Sequence, residues 1–452
     1  MSSFLELFPR RAALSVAARR LCIAMFAGLA AFPLSGQPLA ADGHALTLKY
    51  AQRLAVERSR QLFAQDSTAA AARELAVAAA QLPDPTLRLG IDNLPVNGDD
   101  QFSVTRDFMT MRRIGVMQEL TRLDKRELRA ERFEQEAQKS IVERGATLAA
   151  IQRDTALAWL DRYYAEAQAA IITEQARQAE AEIDVAESAY RAGRGTQADV
   201  LAARLVLVGF ADRASEVDRR IAVARINLAR WIGEHAREPL AGTPALASIG
   251  LNTGSLESQL RHHPQLALLA KQQEIATTEV KLAQANKKAD WSVELAYSQR
   301  GAAYSNMISV GVSVPLQWDQ RNRQDREVAA KLAAVDQAGA LREEALRAHV
   351  AEIRTMLAEW RNGLERQGRY QRDLLPLASA RTQALIAAYR GGKSALGDVL
   401  MGRRNEIEVR MQALQLESET ARMWAQLNFL IPEEDLAHLS EPAIAVPQKE
   451  PK

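Results

Sequence analysis

The chain has 452 residues, a formal net charge of +2, 5% aromatic residues and a single cysteine. So small a net charge argues against nucleic acid as a partner. Abundant alanine and interspersed charges of both signs suit long packed helices better than a β-sandwich or an α/β enzyme core.

The N-terminus reads as an export signal over residues 1–41. Arg10, Arg11, Arg19 and Arg20 form its basic part. Leu21 to Leu34 is an uncharged apolar run, shorter than the ~20 residues that a spanning helix needs. Ala40 and Ala41 offer a small-residue cleavage site before Asp42. Cys22 lies inside this signal, so the mature chain is expected to carry no thiol, no disulfide and no lipidated cysteine. No later segment approaches 18 consecutive apolar residues, so such an exported chain is either soluble in the periplasm or spans as a β-barrel.

The first repeat is expected over 46–240. It opens on helices and a strand pair at about 85–119. Leu87, Leu89 and Ile91 alternate with polar or small residues, whereas the stretch from Met109 to Glu119 is weaker, because Arg112 and Arg113 adjoin. Proline is absent from Pro95 to Pro239, which permits long helices. Thr121 to Arg191 is rich in helix formers and would run roughly 105 Å as one helix. A helix of that length needs a lateral partner. Thr196 to Ile232 supplies it, with Val217, Ile221, Ala224, Leu228 and Trp231 forming a coiled-coil seam. Gly193 and Gly195 mark the turn at 191–197, and Thr196 with Asp199 resembles a capping box.

The second repeat is expected over 250–432. His262-His263-Pro264 lacks the carboxylate or cysteine spacing of a metal site and reads as the start of a surface helix. A strand pair follows at about 290–317. In it Trp291, Val293, Leu295 and Tyr297 alternate, as do Ile308, Val310, Val312, Val314 and Leu316. Proline is absent between Pro315 and Pro376, and again between Pro376 and Pro432. Ala388-Tyr389-Arg390-Gly391-Gly392, followed by Asp398-Val399-Leu400, repeats the spacing of Ala189-Tyr190-Arg191-Ala192-Gly193 and Asp199-Val200-Leu201 without a gap. At the same offset Leu228 falls on Leu427 and Ile232 on Ile431. The chain therefore reads as a tandem duplication, each half ending in a long helical hairpin, the second with its tip at 390–396. Residues 433–452 read as a disordered tail.

The strand pattern fits either soluble hairpins packed on helices or a membrane sheet. Lipid cannot satisfy a sheet edge, so a membrane sheet must close, and the smallest single-chain barrels have about eight strands. Four strands per chain then require several copies. Two copies would make a packed barrel of eight strands, and three a barrel of twelve with room for a bore.

The duplicated strand-pair and hairpin plan, with the tip motif Tyr389 to Leu400 and its copy Tyr190 to Leu201, resembles the TolC family of outer-membrane efflux proteins. The segments Pro83-Asp84-Pro85 to Leu94-Pro95 and Arg106 to Arg113 are similar to its heavy-metal branch, CzcC and CusC. The resemblance implies a mainly α fold with a β-barrel part. Duplicated hairpins would form a periplasmic coiled-coil tunnel, and four strands per chain would build a twelve-stranded transmembrane barrel in a homotrimer. It also implies location in the outer membrane of a Gram-negative bacterium, in contact with lipid. Docking would run through a periplasmic adaptor (membrane fusion protein) onto an inner-membrane resistance-nodulation-division (RND) pump. The chain would be a passive exit duct, for heavy-metal cations or alternatively for drugs or secreted protein.

The family closes its periplasmic mouth with a tyrosine, an arginine and two aspartates. Tyr389 and Asp398 match, but Ser394 and Met401 stand where the arginine and second aspartate would be. The expected channel gate and cation filter is thus Asp398 with Tyr389, and Asp199 is a second tip acid; the plainer reading is that both aspartates only cap helices. Gly193, Gly195, Gly391 and Gly392 are turn residues and candidate adaptor contacts. Met109, Met111 and Met117 read as lipid-facing or packing residues. No phosphate loop, nucleophile elbow or HExxH motif occurs, so neither enzymatic activity nor a cofactor nor a metal site is expected. A soluble periplasmic scaffold or adaptor is the alternative of another class.

Overall fold

The computed structural model describes residues 45–250, 260 and 263–430. The expected export signal, His262, Ile431 and the tail lie outside the described residues. Helices α1 (Leu48–Arg58) and α2 (Arg60–Ala79) precede strands β1 (Thr86–Asp92) and β2 (Met111–Leu120). Then α3 (Leu123–Arg191) runs for 69 residues without a break, about 104 Å at 1.5 Å per residue, and α4 (Gln197–Ile232) returns beside it. In the second half α5 (Pro264–Ala285) leads to β3 (Trp291–Gln299) and β4 (Met307–Ser313). The second hairpin is α6 (Gln324–Arg369), α7 (Leu375–Arg390) and α8 (Leu396–Asn428).

The weak strand is real. Arg112 and Arg113 lie within β2, because each is one side of a pleat and their side chains leave by opposite faces. The strongest alternation, by contrast, overstates its strand. β4 stops at Ser313 rather than Leu316, since Pro315 has no N–H for the ladder. Proline also behaves differently in the helices than its spacing suggests. The chain stays helical through Pro376, preceded by a π-turn at Tyr370–Leu374 in which Leu375 N–H donates to Tyr370 O. The wider turn relieves the clash between a proline ring and the carbonyl of the preceding turn.

The four strands form one antiparallel sheet in the order β1-β2-β3-β4. Pairing of β2 with β3, Val116 opposite Leu295 and Ile114 opposite Tyr297, joins the two strand pairs. The base of the sheet is tied to α3 by a nearly buried ion pair, Lys125 Nζ to Asp290 Oδ2 at 2.7 Å. Asp290 also accepts from the Arg122 N–H.

The largest apolar core lies where the hairpins end away from their tips, around Trp159, Leu228, Ile353 and Leu427. Its tryptophans use their indole N–H groups to pin extended chain against the helices. Trp159 donates to Leu46 O (3.0 Å), Trp360 to Leu246 O (3.1 Å) and Trp424 to Ser248 O (2.8 Å). Arg162, 2% exposed, donates to Ala236 O and pairs with Glu166. In this way the connection between repeats is held by side chains of the long helices.

His263 starts α5, as expected, but it is no surface residue. It is 6% exposed, accepts from the Gln265 N–H through Nδ1, and stacks at a tilt on His349 with ring centroids 5.0 Å apart. Burial, with the His349 and Arg153 charges behind it, lowers its pKa to about 4. A folded-state pKa below the unfolded value of about 6.5 means that the neutral ring is the stabilising form. Stability is therefore full above pH ~6.5 and lost as the pH falls toward 4, by on the order of 3 kcal/mol at most. Thermal unfolding between pH 7 and 4.5 should show this loss, and His263→Asn, which keeps a cap, should flatten it.

Helices α6 and α8 meet closely at one glycine. Gly363 on α6 lies against Thr420 on α8, where an added Cβ would come within 2.4 Å of Thr420 Oγ1. Gly363→Ala should lower the Tm, and Gly363→Ala/Thr420→Ala should recover most of the loss, a non-additivity that a double-mutant cycle measures.

Candidate functional site

Two places gather the residues of interest, the hairpin tips and the sheet. At the first tip α3 ends in a Schellman motif. Gly193 N–H donates to Tyr190 O at 3.0 Å and Arg194 N–H to Ala189 O at 2.9 Å, with Gly193 at φ +69°. The second tip repeats it, Gly392 to Tyr389 O (2.9 Å) and Lys393 to Ala388 O (2.9 Å), with Gly392 at φ +70°. Only a residue without Cβ adopts this left-handed turn freely. Gly193 and Gly392 are therefore required by the turn. Gly391 is not, since its φ is −84°. Gly195 sits in a tight place, where a Cβ would lie 3.2 Å from both Ala189 Cβ and Tyr190 N, so a side chain there needs a small shift of its neighbours.

Both returning helices begin on their aspartates. Thr196 Oγ1 accepts from Asp199 N–H (3.2 Å), and the Asp199 carboxylate accepts from Thr196 N–H (2.9 Å), a complete capping box. These hydrogen bonds, the backbone one first, hold the Asp199 carboxyl below the usual range. In the second tip Ala395 replaces the threonine and only half the box survives. Asp398 Oδ2 accepts from Ala395 N–H at 3.2 Å and from Ser394 Oγ at 2.9 Å. Ser394 thus takes part in the tip by engaging Asp398 within its own chain.

The tips pack on each other. Ala186, Val200, Ala203, Leu396 and Val399 form a small core, with Tyr389 packed against it, whereas its copy Tyr190 is half exposed. Tyr389 and Asp398 are therefore brought to one tip with different roles, one packing and the other capping. Farther along the hairpins lies an ion cluster that the sequence reading did not single out. Arg403 pairs with Glu182 of α3 (3.1 Å), and Glu406, 3% exposed, pairs with Arg410 (2.7 Å) and Arg403 (3.7 Å). The only signal for it was the three- and four-residue spacing of Arg403, Glu406 and Arg410.

The sheet has two opposite faces, and the register aligns them across all four strands. One face stacks Leu87, Val116, Leu295 and Val310 in one row, and Leu89, Ile114, Tyr297 and Ile308 in the next. This face is open, with Leu89 71%, Val310 73% and Ile308 74% exposed. The other face carries Arg88, Arg113 and Glu294 among glycines, serines and Ala296. Met111 and Met117 fall on this polar face, and Met117 Sδ accepts from Arg88 (3.1 Å). They are not on the apolar side, where a lipid-facing reading would put them, because their odd-numbered positions in β2 pair with Asp92 and Thr86. Among the described residues no cluster of three metal-ligating side chains occurs, and no helix is long and apolar enough to cross a membrane.

The two capping boxes differ by one hydroxyl. Thr196→Ala should speed amide exchange in the first turn of α4 by about fivefold, for a cap of about 1 kcal/mol. Ala395→Thr should slow exchange at the start of α8 by a similar factor; mass-spectrometric hydrogen exchange reads both.

No protein-family model matches the chain, and no curated protein matches it by sequence. Solved structures do match. CusC, studied for the conformational changes accompanying its folding and transmembrane channel formation, is 17% identical with a TM-score of 0.72, over 84% of this chain and 91% of CusC. The outer-membrane channel OprN is 18% identical with a TM-score of 0.71, over 85% and 89%. The outer membrane protein VceC of Vibrio cholerae is 16% identical with a TM-score of 0.68, over 85% and 95%. At these identities the likeness is one of fold: two long hairpins carrying one four-stranded sheet are the fold that this chain shares with OprN, VceC and CusC.

Proposed function

We propose that the chain is one subunit of a homotrimeric outer-membrane efflux channel of the TolC family. The observation that carries this is the sheet: an exposed apolar face, a polar opposite face, and two outer edges on β1 and β4 with no partner strand among the described residues. In lipid such edges must be paired. Three copies pair β4 of one with β1 of the next and close twelve strands, apolar side to lipid and polar side to a bore. The helical hairpins then extend the bore into the periplasm. No bond is made or broken, and the duct is passive.

On this reading the tips face the periplasmic adaptor, which links the channel to an inner-membrane RND pump. Gly193, Gly195, Gly391 and Gly392 present backbone there. Asp398 and Tyr389 line the mouth from three chains, with Asp199 as a second ring of acid. The carboxylate ring favours cations, since like charges held around one axis lower the potential in the opening. Heavy-metal cations are the proposed cargo, supported by the segment resemblances at Pro83 to Pro95 and Arg106 to Arg113 and by the methionines on the polar face.

The mature protein should sediment with outer membranes and run in detergent at three times the subunit mass. A water-soluble monomer would refute the channel. Deleting the gene should sensitise cells to zinc, cobalt, cadmium, copper or silver; unchanged tolerance, in a strain without a second channel of this kind, counts against the metal cargo and leaves the channel standing.

A further inference from the structure

The polar face of the sheet is built mostly of residues with little side chain. Gly90, Gly115, Ala296, Ser309 and Gly311 keep it smooth. Against it, four charged side chains make one connected line across three strands. Arg88 Nη1 lies 3.4 Å from Glu294 Oε2, Arg113 Nη2 lies 2.8 Å from Glu294 Oε1, and Arg113 Nη1 lies 3.6 Å from Asp92 Oδ2. Glu294, the hub, belongs to the second repeat, whereas its partners belong to the first. Its place is made by Gly115, where a Cβ would sit 3.1 Å from Ala296 Cβ and 3.4 Å from Glu294 Oε1. The side chain of Glu294 is 19% exposed, against 51% for Arg88 and 34% for Arg113. The strand neighbours directly beside Glu294 on this face, Met117 and Gly311, carry no charge.

We infer that this belt is a charge-balanced girdle that governs ion selectivity in the channel and that Glu294 holds its balance. The inference rests on the channel reading, because only closure with the polar face inward makes this face a lumen. Each chain then contributes two guanidinium groups and two carboxylates to the belt, which is neutral as a whole. Removing the Glu294 charge leaves two arginines against Asp92, an excess of one positive charge per chain and three around the bore. Removing the Arg113 charge leaves the opposite excess. Low-dielectric barrel walls concentrate such a field on a passing ion. Tuning by Glu294 is separate from the tip acids, which lie at the far ends of the hairpins.

The test is the reversal potential of purified trimers in planar lipid bilayers under a potassium chloride gradient. Glu294→Gln should lower the K+/Cl− permeability ratio by about threefold, and Arg113→Gln should raise it by a similar factor. Glu119→Gln removes the same charge from the same face at the base of the sheet and should move the ratio far less. Should Glu294→Gln not assemble, the upward shift in Arg113→Gln decides. Conducting trimers whose ratio is unmoved in the belt variants, or moved equally by Glu119→Gln, would overturn the assignment. A wild-type protein that forms no conducting pore would instead overturn the channel reading beneath it.

Discussion

Pairing of β2 with β3 is the contact on which the rest depends, because it turns two strand pairs from separate repeats into one sheet with a single apolar face. Its register places Val116 beside Leu295 and Ile114 beside Tyr297, so the apolar rows run unbroken from β1 to β4. A slip of one residue would turn every side chain of one repeat to the wrong face. The Glu294 bonds to Arg88 and Arg113 add a second, electrostatic lock on the same register. Among the described residues four strands so aligned still have two open edges, and this incompleteness connects the fold of one chain to the assembly proposed for three.

Helix length follows from the same plan. A 69-residue helix is not held by its own propensity alone. The structure supplies apolar contact along its course, from the core around Trp159 through Phe210 and Val217 to the tip cluster around Val200 and Val399. Among the described residues buried charge in this packing is paired, as in Arg162 with Glu166 and Glu406 with its two arginines, since an unpaired buried charge costs several kcal/mol.

The two hairpins differ where one position changes the local physics. Thr196 becomes Ala395, and a full capping box becomes half of one. Gly195, where a Cβ would crowd Ala189, corresponds to Ser394, whose hydroxyl bonds Asp398. One long helix is continuous, and its counterpart carries a π-turn ahead of Pro376. On the proposed reading such asymmetry lets three chains with two unlike hairpins each build a tube whose mouth need not be sixfold.

Features set by near neighbours in the chain were legible from sequence alone. The hairpins, the glycine turns, the Thr196–Asp199 cap and the alternation of three strands depend on residues a few positions apart. Tertiary structure decided what depends on distant partners. Whether Arg112 and Arg113 permit a strand, which face takes Met111 and Met117, and how Glu294 meets Arg113 follow from ladder register, which local pattern does not encode. His263 is buried because α6 brings His349 against it, and Pro376 is tolerated because a π-turn absorbs the clash. Local pattern states what each segment prefers, and packing between segments far apart in the chain selects among those preferences.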